Sequence, residues 1–428
     1  MSSVTTPARR VAPGRHQLHA DGAASLWKSV RPLDAFLFSL FLFDRLPVAG
    51  VLPFGVGLSA LLVFVGFLRK PLYQVRYHGL VMLLCAATVL YLGAVSWIND
   101  VDFAQRLLRI ALLFALALTV MQGRFHWFSA CVGLMISSIL VNIPLFYAGV
   151  APDLYHPYLT GWFYDKNVSG MWYACLAILG LFVIRRVKWQ LVWSLGMMAV
   201  LFLTGSRTSM AAYLVGLAWF LLRNRLAWIV RLGLAGILIW TLDFAEERLA
   251  RIGVFASRGS SDEFRLEIAR LTHMKVSGSP WYGSGLSTAF VDMKDRTFWF
   301  HDSYAALRVE GGIPLVVAVA GVLFILLGLQ IFSSQRKVSF RARVGEAACF
   351  VVLVCAWKLG EVFFSSVAML VLGFTLWAHF AEPSEEVRDG LLPPELKAGL
   401  GMDQEDPLAD AISTDPAPTD AVPARRAL

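Results

Sequence analysis

Apolar residues in this chain fall into long runs, and polar residues into short clusters that separate them. Runs of about 17–25 apolar residues are long enough to cross a bilayer as helices. The pattern predicts spans near 33–50, 52–68, 78–98, 104–121, 127–149, 168–184, 189–205, 208–222, 226–242, 303–332, 344–361 and 362–380. The first two and the last two are crowded together; counting each as a crossing gives about twelve. The predicted class is an all-α polytopic membrane protein with a large outward loop containing short helices.

Charge sets the expected orientation. Arg9, Arg10, Arg15, Lys28 and Arg31 precede the first run, and every second loop after it is basic: Arg69-Lys70 with Arg76, Arg124, Arg185-Arg186 with Lys188, Arg223 with Arg225, and Arg336-Lys337 with Arg341 and Arg343. Lys and Arg are retained on the cytoplasmic side during insertion. Both termini are therefore expected inside, and 99–102, 150–167 and 243–302 outside. The chain divides into a basic tail (1–32), a first helix block (33–242), an outward loop unit (243–302), C-terminal helices (303–380) and a tail (381–428). That last tail is rich in Pro, Ala, Asp and Glu, a composition that predicts disorder.

Composition agrees with the pattern. The chain is 57% hydrophobic and 16% charged, against about 25% charged in soluble domains. A net charge of +8 raises the question of nucleic acid, but the basic residues sit in short loops between apolar runs and read as topology. Cys85, Cys131, Cys175, Cys349 and Cys355 all lie inside apolar runs, so they are expected to pack rather than pair. No cleaved signal peptide is expected. No internal repeat is visible, and repeats are what secondary transporters commonly show.

Within the outward loop, Ser260-Ser261-Asp262-Glu263 reads as a capping box. The helix it would start places Phe264, Ile268 and Leu271 on one face, with Arg265 at the edge of that face. Such a helix is expected to lie along the membrane. Gly278 to Gly285 reads as turns carrying an exposed Trp281-Tyr282 pair.

Candidate chemistry gathers at the ends of the runs. His301 opens the span at 303, with Ser303 beside it and Arg308 two helical turns on. It reads either as a proton-transfer group or as an interfacial histidine capping a helix. Arg207, within Thr204-Gly205-Ser206-Arg207-Thr208-Ser209, lies on the expected outer side, where topology does not call for a cation. Its fork suits bidentate phosphate contacts; the alternative is a snorkelling anchor. Lys166 reads as snorkelling, with Asp165 as its partner, and Asn167 as an N-cap. Arg106 and Arg109 are expected to pair with Asp100 or Asp102, and Lys358 with Glu361 at i, i+3. Glu310 reads as an acid or base inside a span, or as the partner of Arg308 or another buried cation. No HExxH, Walker loop, paired-carboxylate metal motif or Cys/His ligand set appears, so no metal and no cofactor is expected.

Several of these segments together resemble the O-antigen ligase and polysaccharide polymerase family of bacterial membrane glycosyltransferases. They are Phe163-Tyr164-Asp165-Lys166-Asn167, Leu203-Thr204-Gly205-Ser206-Arg207, Arg265, Pro280-x-x-Gly283-x-Gly285, and His301-x-Ser303 followed by Glu310-Gly311-Gly312. The resemblance covers roughly 160–330; Asp302 stands where the family often has Asn. It implies a bacterial inner-membrane enzyme that moves a glycan, without metal, from undecaprenyl diphosphate to an acceptor hydroxyl. By the same resemblance His301 is the base, and Arg207 and Arg265 bind the diphosphate. Lys166, Asn167, Ser303, Arg308 and Glu310 are then substrate-binding residues. The implied partners are the carrier-linked glycan, an acceptor glycan or lipid, the bilayer, and a chain-length regulator or flippase; nucleic acid is not among them. Polymerisation is favoured over ligation to a lipid core or protein. A polyprenyl-glycan flippase, or a sensor whose outward loop binds ligand, are the readings from other classes.

Overall fold

The computed structural model describes residues 30–48, 52–227, 229–233, 236–237, 259–293, 296–333 and 337–383, without the side chains of 52, 259–265 and 383. Expectations for 1–29 and 384–428, for about half of the run at 226–242, for the capping-box side chains and for the Arg265 side chain fall outside the described residues; Ala381–Pro383, where disorder is expected to begin, forms a strand instead.

The protein is predominantly helical. In order come α1 (Pro32–Ser39, continued by a 3₁₀ turn Leu40–Phe43), α2 (Phe54–Phe67), α3 (His78–Ile98), α4 (Ala104–Met121) and α5 (Trp127–Tyr147). Then follow α6 (Lys166–Leu179), α7 (Val187–Thr204), α8 (Arg207–Leu222), α9 (Gly259–Gly278), α10 (Ser303–Gly328), α11 (Phe340–Lys358) and α12 (Ser366–Phe380). Among the described residues, five helices (α3, α4, α5, α7 and α10) are long and apolar enough to cross a membrane. Shorter apolar helices are Pro32–Phe43, Phe54–Phe67, Arg207–Leu222 and Ser366–Phe380.

The packing separates inner from outer helices. α11 and α12 are buried almost all round and pack on each other, α11 against α8 and α12 against α4. A helix apolar on every side belongs in a core. α3 and α7, by contrast, leave Leu80, Leu83, Leu90, Leu191, Leu195 and Phe202 exposed. Apolar surface on that scale is what a lipid-facing helix presents. All five cysteines are buried and unpaired by disulfide.

Small strands interrupt the helical scheme. β1 (Pro47–Val48) pairs with β2 (Leu52–Pro53), and β3 (Tyr73–Val75) with β6 (Ala381–Pro383). β4 (Phe290–Met293) and β5 (Arg296–Trp299) form a hairpin in the loop where only helices and turns are expected. The α9 expectation also changes: Ile268 is buried with Ala289, Val291, Phe300 and Val309, so this face of the helix packs on the hairpin and on α10. Leu266 lies exposed.

Candidate functional site

The helices have two polar ends, and the sequence-predicted residues lie toward one of them. α10 begins at Ser303 because Asp302 caps it: the carboxylate accepts from the amides of Tyr304 (2.8 Å) and Ala305 (3.1 Å). Burial raises the Asp302 carboxyl above its ordinary value, against the pull of the Ala305 and Tyr304 amides and of the Lys358 charge. The Ser303 hydroxyl is buried; it donates to the Leu359 carbonyl (2.7 Å) and accepts from the Val362 amide (2.9 Å). It therefore stitches the turn between α11 and α12 to the start of α10. Gly360 in that turn lies against the Phe300 carbonyl, which a Cβ would meet at 2.2 Å. His301 is thus held at the rim of this turn, exposed, two residues before the helix.

Arg308 does not share a helical face with His301. It donates to the carbonyls of Pro280 (2.7 Å) and Ser279 (3.3 Å) and clamps the loop at 279–285. The same loop is laced to α10 through the Ser284 amide to Val309, Gly285 to Glu310 and Ile313 to Trp281. This contact needs glycine on both sides. Gly312 has φ +66° and breaks the helix, and a Cβ there would fall 2.0 Å from the Trp281 carbonyl. Gly283, φ +98°, faces the Glu310 carbonyl at similarly close range. The two glycine motifs are the halves of one joint.

Glu310 pairs with Arg106 at 2.9 Å and not with Arg308, and also accepts from the Ser287 amide at 3.1 Å. Glu361 lies 3.5 Å from both Arg106 and Arg109. The expected pairing of these arginines with Asp100 or Asp102 is replaced by partners on α10 and on the α11–α12 turn. The helical i, i+3 geometry expected of Lys358 and Glu361 does not form, because α11 ends at Lys358, Leu359 is extended, and Glu361 turns to φ +50°. Lys358 also bears on the charge of Asp302.

Arg207 reaches the same end by another route. Gly205 (φ +63°) closes α7, and Arg207 is the first residue of α8. The hydroxyls of Ser206 and Ser209 lie 2.8 Å apart, and Ser209 meets Cys355 of α11. Farther along, Gly216 faces Ala347 and Trp219 bonds Glu346, so α8 and α11 run antiparallel. Arg207 is therefore level with the end of α11 that carries the turn beside His301. Asp165, not Asn167, caps α6, accepting from the amides of Asn167 and Val168. Lys166 lies over the Tyr158 ring, 5.3 Å from its centre. Residue 265 belongs to α9, which packs on α10 at the same end.

One end of the helices therefore carries an exposed imidazole, an arginine at a helix start and a shared-carboxylate ion network, with a loop–helix joint beside them. Sequence reasoning missed the parts played by Arg106, Arg109 and Glu361; their number and unusual depth were visible, their partners were not. No protein-family model matches the chain, and no curated protein matches it.

Proposed function

We propose that this protein transfers a glycan from undecaprenyl diphosphate to an acceptor hydroxyl on the outer side of a bacterial inner membrane, as a polymerase of exopolysaccharide or O-antigen. In this reading the chain makes about twelve crossings with both termini in the cytoplasm. The end bearing His301 then faces outward.

The observation that supports the reading is convergence. The start of α8 with Arg207, the turn against His301, and α9 with residue 265 gather at one end of the bundle. Their chemistry is complementary. The acceptor oxygen attacks the anomeric carbon as His301 takes its proton, and the anomeric carbon–oxygen bond to phosphate breaks. The electron pair leaves with undecaprenyl diphosphate, and direct displacement inverts the anomeric centre. Negative charge grows on that leaving group, and preorganised cations aimed at developing charge lower a barrier strongly. Arg207 and Arg265 fill that role, and no metal takes part. A base that titrates near neutrality suits the hydroxyl proton. Ser303, Arg308 and Glu310 act one step back by holding the turn and the loop, while Lys166 and Asn167 flank the carrier.

The test is incubation of purified protein with carrier-linked glycan. Release of undecaprenyl diphosphate with lengthened carrier-linked chains supports polymerisation, and transfer to a lipid core or protein indicates the ligase activity. Movement of intact substrate across liposomes with no release sinks the reading in favour of a flippase.

A further inference from the structure

A cavity of about 160 Å³ opens between the end of α1, the start of α2, α4 and the α11–α12 turn. Asp44, Arg45, Ser59, Arg109, Glu361 and Ser366 supply its polar lining, and Leu113 lies on its apolar side. Its walls are fixed. Ser366 donates to Asp44 at 2.6 Å, Arg109 lies 3.5 Å from Glu361, and the Gly55 amide donates to the Asp44 carbonyl at 2.9 Å. One group is left over. The Ser59 hydroxyl lines the cavity, is 1% exposed, and has no hydrogen-bond partner among the described residues. A buried hydroxyl without a partner costs about 1–3 kcal/mol. An orphan of that kind facing a cavity marks a place where a ligand atom belongs.

The lining also selects the ligand. Two carboxylates balance two guanidiniums, so neither a phosphate nor a cation is favoured. Arg45 and Arg109 both bear on Asp44, and Arg109 also lies 3.5 Å from Glu361, so groups of opposite sign face each other within the lining. Hydroxyls and carboxylates beside an apolar wall match a ring with polar edges and C–H faces. The volume suits one such ring; an engineered cavity of about 150 Å³ takes up benzene. Position narrows the choice further. Glu361 follows Gly360, the residue packed on the backbone just before His301. The cavity belongs to the α1, α2, α4 and α12 flank of that turn, and Arg207 to the α8 and α11 flank.

We infer that the cavity binds a single neutral sugar residue of the acceptor strand, opposite the carrier diphosphate; the word acceptor rests on the proposed transfer reaction, and sugar binding does not. Donor and acceptor then approach His301 from two flanks of one turn. Saturation-transfer NMR on the purified full chain tests this, with methyl hexosides as probes and inorganic diphosphate as competitor. A saturable sugar signal is expected, insensitive to diphosphate. It should weaken about tenfold in Asp44→Asn, which keeps the shape and removes a charged acceptor, and vanish in Ser59→Leu, which fills the space. No sugar signal, a signal unchanged in both variants, or displacement by diphosphate overturns the proposal. Asp44→Asn should also raise the acceptor KM and not the donor KM; the reverse would assign the cavity to the donor and overturn the acceptor claim. Carrier release with no sugar bound here defeats this inference alone. Sugar bound here without carrier release defeats only the transfer reading.

Discussion

The two polar ends of the bundle use the same residue types for different purposes. At the end near residues 34, 69 and 126, Asp34 is wholly buried, 2.5 Å from Arg69 and 2.8 Å from the His126 amide. Between α8 and α11, Arg223 and Glu346 are both inaccessible and meet at 2.6 Å, with Trp219 also donating to Glu346. These clusters are closed. At the other end Glu361 is about one-third exposed (36%) and is shared by two arginines at 3.5 Å, and His301 lies open at the rim. A buried charge that meets its counter-ion fastens helices, since removing one partner strands the other in a dry interior. Cations held loosely beside a cavity and an exposed imidazole retain capacity for a substrate.

Variants at each end break or sharpen this contrast. The largest effect is expected from His301→Ala, a loss of about 10²–10⁴-fold in carrier release with expression and insertion intact; near-normal release would remove the histidine from the mechanism. Glu346→Ala at the closed end should instead cost about 3–5 kcal/mol in thermal unfolding, while activity per folded molecule persists. A fall in that activity with unchanged stability would mean that the closed end takes part in the chemistry. Arg207→Lys keeps the charge and loses the fork. A charged hydrogen bond is worth about 1.5–3 kcal/mol, so carrier release should fall by about ten- to a hundredfold.

Gly312→Ala should cost about 1–3 kcal/mol, because φ +66° and the Trp281 carbonyl both oppose a side chain. Faster proteolysis within 279–285 would report the loosened joint, and a rate equal to wild type would show that the joint does not hold the loop. The smallest changes fall at Asp302. Replacement by Ala should cost about 1 kcal/mol and by Asn only a few tenths. Because burial raises the Asp302 carboxyl, its contribution to stability is full below the ordinary carboxylate value and is lost as pH climbs through the raised value. The side-chain amide in D302N does not titrate, so this variant should gain on wild type across that window and hold a constant difference above it. Parallel melting curves across the window would contradict the assignment.

The helices were legible because each is written in consecutive residues, and hydrophobic length alone marks α3, α4, α5, α7 and α10. The local caps were half legible. An acidic residue stands before α6 and before α10, yet the apolar run beginning at 168 points to Asn167 as the cap, whereas the helix starts two residues earlier. Ion pairs failed most clearly. Arg106 meets Glu310 across 204 residues and Arg109 meets Glu361 across 252, while the pairing expected from sequence was with neighbours. Nothing in a linear pattern carries such contacts. The cavity was invisible for the same reason, as its lining comes from separate helices. The glycine motifs could be recognised but not explained until Gly283 and Gly312 were seen to face each other's backbones.

A photoreactive polyprenyl diphosphate crosslinked to the purified protein addresses the central claim directly. The account predicts adducts within 204–209, 259–278 and 299–303, suppressed by excess unlabelled carrier. Adducts confined to the closed end, around Arg69, Arg124 and Arg223, would contradict it.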